Sequence, residues 1–132
     1  KPGGRVLVED IQFSGHFCHP GCAAFDAYVQ YYAAAAANNG HNAEIGPALF
    51  DMFRQAGLAD VGFDVIQPAF NTGTGKWMAY LTLDRIKHTL VKQGLATMDE
   101  IEKLLHELAA FTKDENTIIS LPRIFRVWGV KR

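Results

Sequence analysis

Apolar residues recur at helical spacing in several stretches of the chain, which predicts a set of amphipathic helices. The first helix is predicted over 20–37, and the second begins at Pro47. A longer helical stretch covers 76–112, where a glycine divides it into two helices. Within that stretch, Thr97 and the glutamate three residues later have the spacing of a capping box, which fixes the start of the last helix.

Shorter runs rich in β-branched residues predict strands. The first is 6–8, a run typical of a strand that is buried on both faces of a parallel sheet. It follows a Pro-Gly-Gly turn and ends in two carboxylates, Glu9 and Asp10, of which only one can face a cleft well. Ligands gather at the carboxyl ends of strands in open α/β sheets, so a cleft is predicted there. Further extended segments are predicted at 61–67, 117–120 and 124–130.

Three of these segments resemble motifs of the class I S-adenosylmethionine-dependent methyltransferases. The turn at 1–4, the strand after it and the acids at 9–10 are similar to the Pro-Gly-Gly motif that leads into the fifth strand of that family's seven-stranded Rossmann-like sheet. The segments 56–58 and 61–65 resemble the helix end and the sixth strand. The segment 125–132 is similar to the antiparallel strand that closes such sheets.

The resemblance implies an α/β fold with a partial Rossmann-like methyltransferase sheet. Its last three strands would be neighbours in a mixed sheet, with the final strand antiparallel between the other two. Residues 1–132 would form a single domain, the C-terminal segment of a methyltransferase domain. The helical stretch 76–112 would be an insertion that forms a lid over the substrate cleft.

The same resemblance implies the substrate-side segment of a methyltransferase that acts on a small molecule. The family's cofactor site consists of a Gly-rich loop after the first strand and an acidic residue that ends the second, and the sequence contains neither. We therefore expect S-adenosylmethionine to be the cofactor of the intact enzyme only. We expect this chain alone to have no cofactor-binding residues and to be inactive. Its opening strand would pair with the fourth strand of the full sheet, so a bare edge predicts a homodimer.

Polar and aromatic side chains near the end of the first strand form the predicted substrate site. A carboxylate there would bind an amine or hydroxyl of the methyl acceptor, or would take the proton that this group loses. The alternative is a structural role, in which the carboxylate pairs with an arginine or caps a helix. A histidine suits base or hydrogen-bond roles, and the alternative is contact with backbone or water. Aromatic rings would form a wall or simply pack in the core. The predicted substrate-binding residues are Glu9, Asp10, Phe13, His16, His19, Tyr28, Tyr32 and Trp77.

Two other motifs were considered, one as a metal site and one as a phosphate-binding loop, and neither site is predicted. His16, Cys18, His19 and Cys22 are residue types that bind zinc, but four ligands within seven residues would strain a tetrahedral site, so no metal is predicted. The segment 73–76 lacks the first glycine and the final hydroxyl residue of a phosphate-binding loop.

Charge and composition exclude several classes of partner. The 13 basic residues balance 14 acidic ones, so no nucleic-acid partner is predicted. No apolar run approaches the length that spans a bilayer, so no membrane partner is predicted. Two cysteines are too few for a disulfide framework, which favours a reduced, cytoplasmic protein. The alternative to the methyltransferase is a small non-enzymatic α+β module that binds a ligand or dimerises.

Overall fold

A computed structural model describes all 132 residues and shows two compact units. The sheet unit comprises Lys1–Gly15, Ala43–Gln67 and Pro122–Arg132. The helical unit comprises His16–Asn42 and Pro68–Leu121. The predicted lid therefore lies wholly within the helical unit, which is larger than the prediction because it also contains the first long helix.

Six strands and four α-helices make up the two units. The strands are β1 (Arg5–Gln12), β2 (Cys18–His19), β3 (Ala59–Ile66), β4 (Ala69–Phe70), β5 (Ile118–Ser120) and β6 (Arg123–Val130). The α-helices are α1 (Ala23–Asn38), α2 (Leu49–Gln55), α3 (Met78–Lys92) and α4 (Met98–Lys113). Short 3₁₀ turns occupy Phe13–Gly15, Gly46–Ala48 and Thr74–Trp77. None of the four α-helices combines the length and the apolar character that crossing a bilayer requires.

The sheet unit has the strand order β1-β6-β3, with β6 antiparallel to both neighbours. The three strands are thus neighbours with the closing strand in the centre, as predicted. The prediction of a mixed sheet is wrong, because every neighbouring pair is antiparallel. Strands β1 and β3 run in the same direction, but β6 lies between them and prevents a parallel pair.

The prediction that the opening strand is buried on both faces is also wrong. Strand β1 continues beyond Glu9 and Asp10 to Gln12, and most of its residues are exposed. Leu7 is 63% exposed and Val6 is 39% exposed. The physical reason is that α2 packs on one face of the sheet only, where Val8 joins its cluster, whereas Leu7 lies on the other face beside the partly exposed Trp128. Val6 is exposed because β1 lies at the edge of the sheet.

One face of this sheet packs on α2. Leu49 and Phe53 of the helix contact Val127 of β6, and Leu58 packs against the same cluster. The helix ends at Gln55, and Gly57 follows its cap with a φ of 75°, the left-handed conformation that glycine adopts without strain, as the resemblance of 56–58 to a helix end predicts. The amide of Leu58 donates to the carbonyl of Phe53 over 3.3 Å, so the chain folds back and returns this leucine to the core.

The helical unit contains three mutually contacting helices, α1, α3 and α4, and a small antiparallel sheet of order β2-β5-β4. Strand β5 matches the extended segment predicted at 117–120, but the sheet itself was not predicted, because β2 and β4 are only two residues long. Helix α1 begins at Ala23, after the predicted start at 20, since Cys18–His19 pair with β5 and delay the helix. Helix α4 begins with the predicted capping box at Thr97.

Candidate functional site

The two predicted carboxylates lie inside β1 and point to opposite faces of the sheet. Glu9 is opposite Arg126 of β6, and its Oε1 lies 3.9 Å from the guanidinium Nε. Asp10 accepts a hydrogen bond of 2.8 Å from the amide of Ile11. The structure therefore separates the two acids and leaves only Glu9 in a group of charged side chains.

That group is a row of three charges across the sheet, on the face opposite α2. The register places Glu9, Arg126 and Asp64 side by side on β1, β6 and β3. Arg126 donates through Nε to Asp64 Oδ1 over 2.7 Å and through Nη2 to the second oxygen. These hydrogen bonds hold the pKa of Asp64 below its usual value. Asp64 was not among the predicted site residues. The predicted pairing of its strand with the closing strand could have indicated that Asp64 lies near Arg126.

Phe13 is a core residue of the sheet unit. It opens the 3₁₀ turn after β1 and is only 3% exposed. Its amide donates to the carbonyl of Ala43 over 2.9 Å. The structure therefore places the ring in the core, where its role is packing.

His16 and Tyr28 form a three-ring cluster with Phe25 in the helical unit. The ring centroids lie 5.8 to 5.9 Å apart, with the rings edge to face. All three side chains are buried. Burial raises the pKa of the Tyr28 phenol, and a hydrogen bond with the side chain of Thr82 partly opposes that shift. The cluster is a rigid aromatic core rather than an accessible wall.

His19 is exposed at the end of β2, next to two half-buried free cysteines. Burial raises the pKa of the Cys18 thiol, which disfavours the thiolate that metals and electrophiles need. Successive strand residues alternate in direction, so Cys18 and His19 point apart. No group of three or more His, Cys, Asp or Glu side chains is arranged to hold a metal ion.

Tyr32 lines a groove between α1 and α3 of the helical unit. A cavity of about 170 Å³ is bounded there by Tyr32, His41, Ile86 and Thr89, among others. Asn39 and Thr89 also line an adjoining, more polar cavity of about 640 Å³. His41 was missed by sequence reasoning, because it follows the helix and reaches the groove only through the chain reversal at the glycine before it.

Trp77 ends the 3₁₀ turn before α3 and packs edge to face on Tyr80, with ring centroids 5.5 Å apart. The preceding residue, Lys76, was also missed. Its side chain is 1% exposed, and its ammonium donates to the carbonyls of Asn71 and Asp114 over 2.9 and 2.7 Å. Burial lowers the pKa of Lys76, while the nearby acids Asp114 and Glu115 oppose that shift.

The chain has a glycine-rich loop before its third helix. The one glycine-rich loop that leads into a helical turn is Asn71–Gly75, and its interior is already filled. A Cβ on Gly75 would lie 2.5 Å from the ring of Phe70, and the lysine that follows points inward. This loop therefore offers no open cradle of backbone amides for a nucleotide.

Two further cavities lie in the sheet unit. One of about 480 Å³ is bounded by Arg5, Leu7, Trp128 and Val130, among others. The second, of about 400 Å³, lies beside the end of α2 and is bounded by Arg54, Asp60 and Arg132, among others. None of the predicted substrate-binding residues lines either cavity. Comparison with models of protein families and with curated proteins finds no match for this chain.

Proposed function

We propose that this chain is the substrate-side segment of a class I S-adenosylmethionine-dependent methyltransferase that acts on a small molecule. The observation that carries the proposal is the strand order β1-β6-β3, with the closing strand antiparallel in the centre. The Pro-Gly-Gly turn before β1 and the glycine-capped helix before β3 occur at the positions that the family resemblance requires. The order of strands is a separate observation, because the turn and the capped helix are local motifs that do not determine which strands are neighbours.

The chain contributes acceptor binding and no cofactor site in this proposal. Because its glycine-rich loop does not fit the cofactor, the chain alone is expected to be inactive. Methyl transfer depends mainly on aligning the acceptor nucleophile with the methyl group, and it needs little chemistry from side chains. The accessible members of the predicted set are therefore the main candidates for acceptor contact. These are Glu9, His19, Tyr32 and Trp77; Asp10 is also exposed, but its Oδ1 already accepts a hydrogen bond from the amide of Ile11.

Glu9 is the candidate for polar contact in the sheet unit. Its carboxylate is about half exposed and lies at the end of the charge row, 3.9 Å from Arg126. Arg126 is held mainly by Asp64, so the carboxylate of Glu9 keeps lone pairs for an acceptor amine or hydroxyl. In the helical unit, Tyr32 offers a ring and a hydroxyl to the groove between α1 and α3.

The test is a titration of the isotopically labelled chain, followed by nuclear magnetic resonance. The added molecules are S-adenosylmethionine and, separately, a panel of phenols, aliphatic amines and carboxylic acids. We expect at least one acceptor class to shift resonances at Glu9, His19, Tyr32 or Trp77, and Glu9→Gln or Tyr32→Phe to weaken that binding. Glu107→Gln, an exposed change on α4, is the matched control.

Two outcomes would contradict the proposal. Binding of S-adenosylmethionine to this chain with a Kd of about 1 μM, equivalent to about −8 kcal/mol, would place a complete cofactor site here. Absence of shifts at all four residues with every acceptor class would remove the substrate-side role.

A non-enzymatic ligand-binding module is the second candidate, and the two adjoining cavities between α1 and α3 favour it. Their lining combines an apolar wall with amide groups, as ligand pockets do. The module would be favoured over the methyltransferase if ligands bound only in this groove and if their affinity did not depend on a nucleophilic group that could be methylated.

A further inference from the structure

Strand β1 pairs with β6 along one edge and with no strand along the other. Its eight residues keep one unbroken register and include no proline, glycine or lysine. At the opposite edge of the sheet, β3 has a register shift between Ala59 and Gly62 and is followed closely by Pro68. Irregular pairing, prolines and charged side chains, lysine above all, are devices that prevent sheet edges from pairing with other chains. Strand β1 has no bulge, proline or lysine, and its charged residues are of both signs, so its edge is the one suited to accept a strand with complementary charges.

The side chains of β1 fit an antiparallel copy of the same strand. Arg5, Leu7 and Glu9 share one face of the strand, and the two valines between them share the other. When two copies pair about a two-fold axis normal to the sheet, opposing residues must come from the same face. If the axis passes through Leu7, Arg5 of each copy is directly opposite Glu9 of the other.

This register is the only one that pairs opposite charges on the shared face. Moving the axis by one residue in either direction places Arg5 opposite an apolar residue and leaves Glu9 without its basic counterpart. An axis at Arg5 or at Glu9 itself would oppose like charges, which destabilises a strand pair. Arg5 makes no ion pair within its own chain, so its charge is available to the second copy.

The apolar residues on the same face also match across the axis. Leu7 is 63% exposed and lies beside Trp128 of β6, which is 40% exposed. In the symmetric pair, the two Leu7 side chains meet at the axis and join the two tryptophans into one apolar strip. The cavity of about 480 Å³ bounded by these residues and Arg5 would then adjoin its copy. Removal of this apolar surface from water favours association.

We infer that a second copy of this chain pairs antiparallel with β1, with Leu7 on the two-fold axis and Arg5 opposite Glu9 on each side. The result is a continuous six-stranded sheet in which both central strands are β1. The inference goes beyond the proposed function, because it uses only the edge, the register and the side chains of β1. It concerns the chain of 132 residues, since the fourth strand of an intact methyltransferase sheet would occupy the same edge.

Sedimentation equilibrium of the full chain over a wide concentration range tests the pairing. We expect a monomer–dimer equilibrium in which Arg5→Glu or Glu9→Arg raises the Kd about tenfold or more, because each change opposes like charges twice. The double variant Arg5→Glu/Glu9→Arg restores the opposite charges and should recover most of the affinity. Arg85→Glu, the same charge reversal at an exposed position of α3, should leave the Kd unchanged.

Cysteine cross-linking tests the register in a background of Cys18→Ser and Cys22→Ser. With glutathione disulfide as oxidant, Leu7→Cys should form a covalent dimer, because only residue 7 meets its own copy. Val6→Cys and Val8→Cys should stay uncrosslinked. A monomer at every concentration, a double charge variant as weak as the single ones, or cross-linking at position 6 or 8 instead of 7 would overturn the inference. Circular dichroism on each variant establishes that it is folded.

Discussion

The ammonium nitrogen of Lys76 lies 2.8 Å from the hydroxyl oxygen of Thr117, in the interior of the helical unit. Together with the carbonyls of Asn71 and Asp114, this hydroxyl gives the three N–H donors of the lysine three acceptors. The contacts join the turn before α3 to the loop after α4. A buried cation is tolerated here because its hydrogen bonds replace those it would make with water.

Replacement of this lysine should destabilise the helical unit strongly. Lys76→Met retains the apolar stem but removes the ammonium donor from two carbonyls and a hydroxyl, which should cost about 3 kcal/mol of unfolding free energy. Urea denaturation followed by circular dichroism measures the change. Lys103→Met, at an exposed position of α4, is the matched control and should stay within about 0.5 kcal/mol. Equal stability of the two variants would contradict a structural role for the buried ammonium.

The buried phenol of Tyr28 should cause the unfolding free energy of the protein to decrease in alkaline solution. Burial raises its pKa in the folded protein, whereas the phenol in the unfolded chain ionises near its ordinary value of about 10. Above that pH the folded state binds more protons than the unfolded state, so the unfolding free energy decreases as the pH rises. Tyr28→Phe removes this contribution, and its stability should decline less steeply above about pH 10. Urea titrations at a series of pH values compare the slopes.

Tyr31→Phe is the control for this pH dependence, because it changes a half-buried tyrosine of the same helix and retains Tyr28. It should keep the slope of the unaltered chain. The same slope in all three proteins would show that another group governs the alkaline loss.

Gly62 should resist substitution because Trp128 lies over it. A Cβ at this position would be 2.7 Å from the indole, closer than carbon atoms approach. Gly62→Ala is therefore expected to displace the ring and to cost about 1–3 kcal/mol. Thermal unfolding and tryptophan fluorescence detect the two effects. Gly21→Ala is the control, since an added Cβ there meets nothing within 4 Å. If Gly62→Ala left both stability and emission unchanged, the indole would have to lie elsewhere.

The capping box of α4 should contribute measurably to stability. The Thr97 hydroxyl accepts from the amide of Glu100 over 3.2 Å, and the Glu100 carboxylate accepts from the amide of Thr97 over 2.7 Å. Thr97→Ala breaks the first of these bonds and should lower the unfolding free energy by about 1 kcal/mol. Thr72→Ala, in an exposed loop, supplies the comparison and should change it by less than about 0.5 kcal/mol. Chemical denaturation measures both variants, and equal values would show that the cap is not formed in solution.

Local pattern determined which stretches are helical and some of the helix ends. The start of α4 at Thr97 and the stop of α2 before Gly57 were predictable, because a cap depends on residues three or four positions apart. The three main strands were also predictable as extended segments. The central position of β6 followed from the family resemblance and not from periodicity.

Tertiary structure alone decided which of these segments are buried and which side chains meet. The apolar run at 6–8 has the composition of an interior strand, yet it forms an exposed edge because no second strand covers it. Lys76 has the sequence context of a loop, yet it is buried because two of its three acceptors belong to Asp114 and Thr117, which lie 38 and 41 residues further along the chain. The sequence therefore specified local conformation, whereas burial and partners depended on contacts between distant segments, which no local pattern encodes.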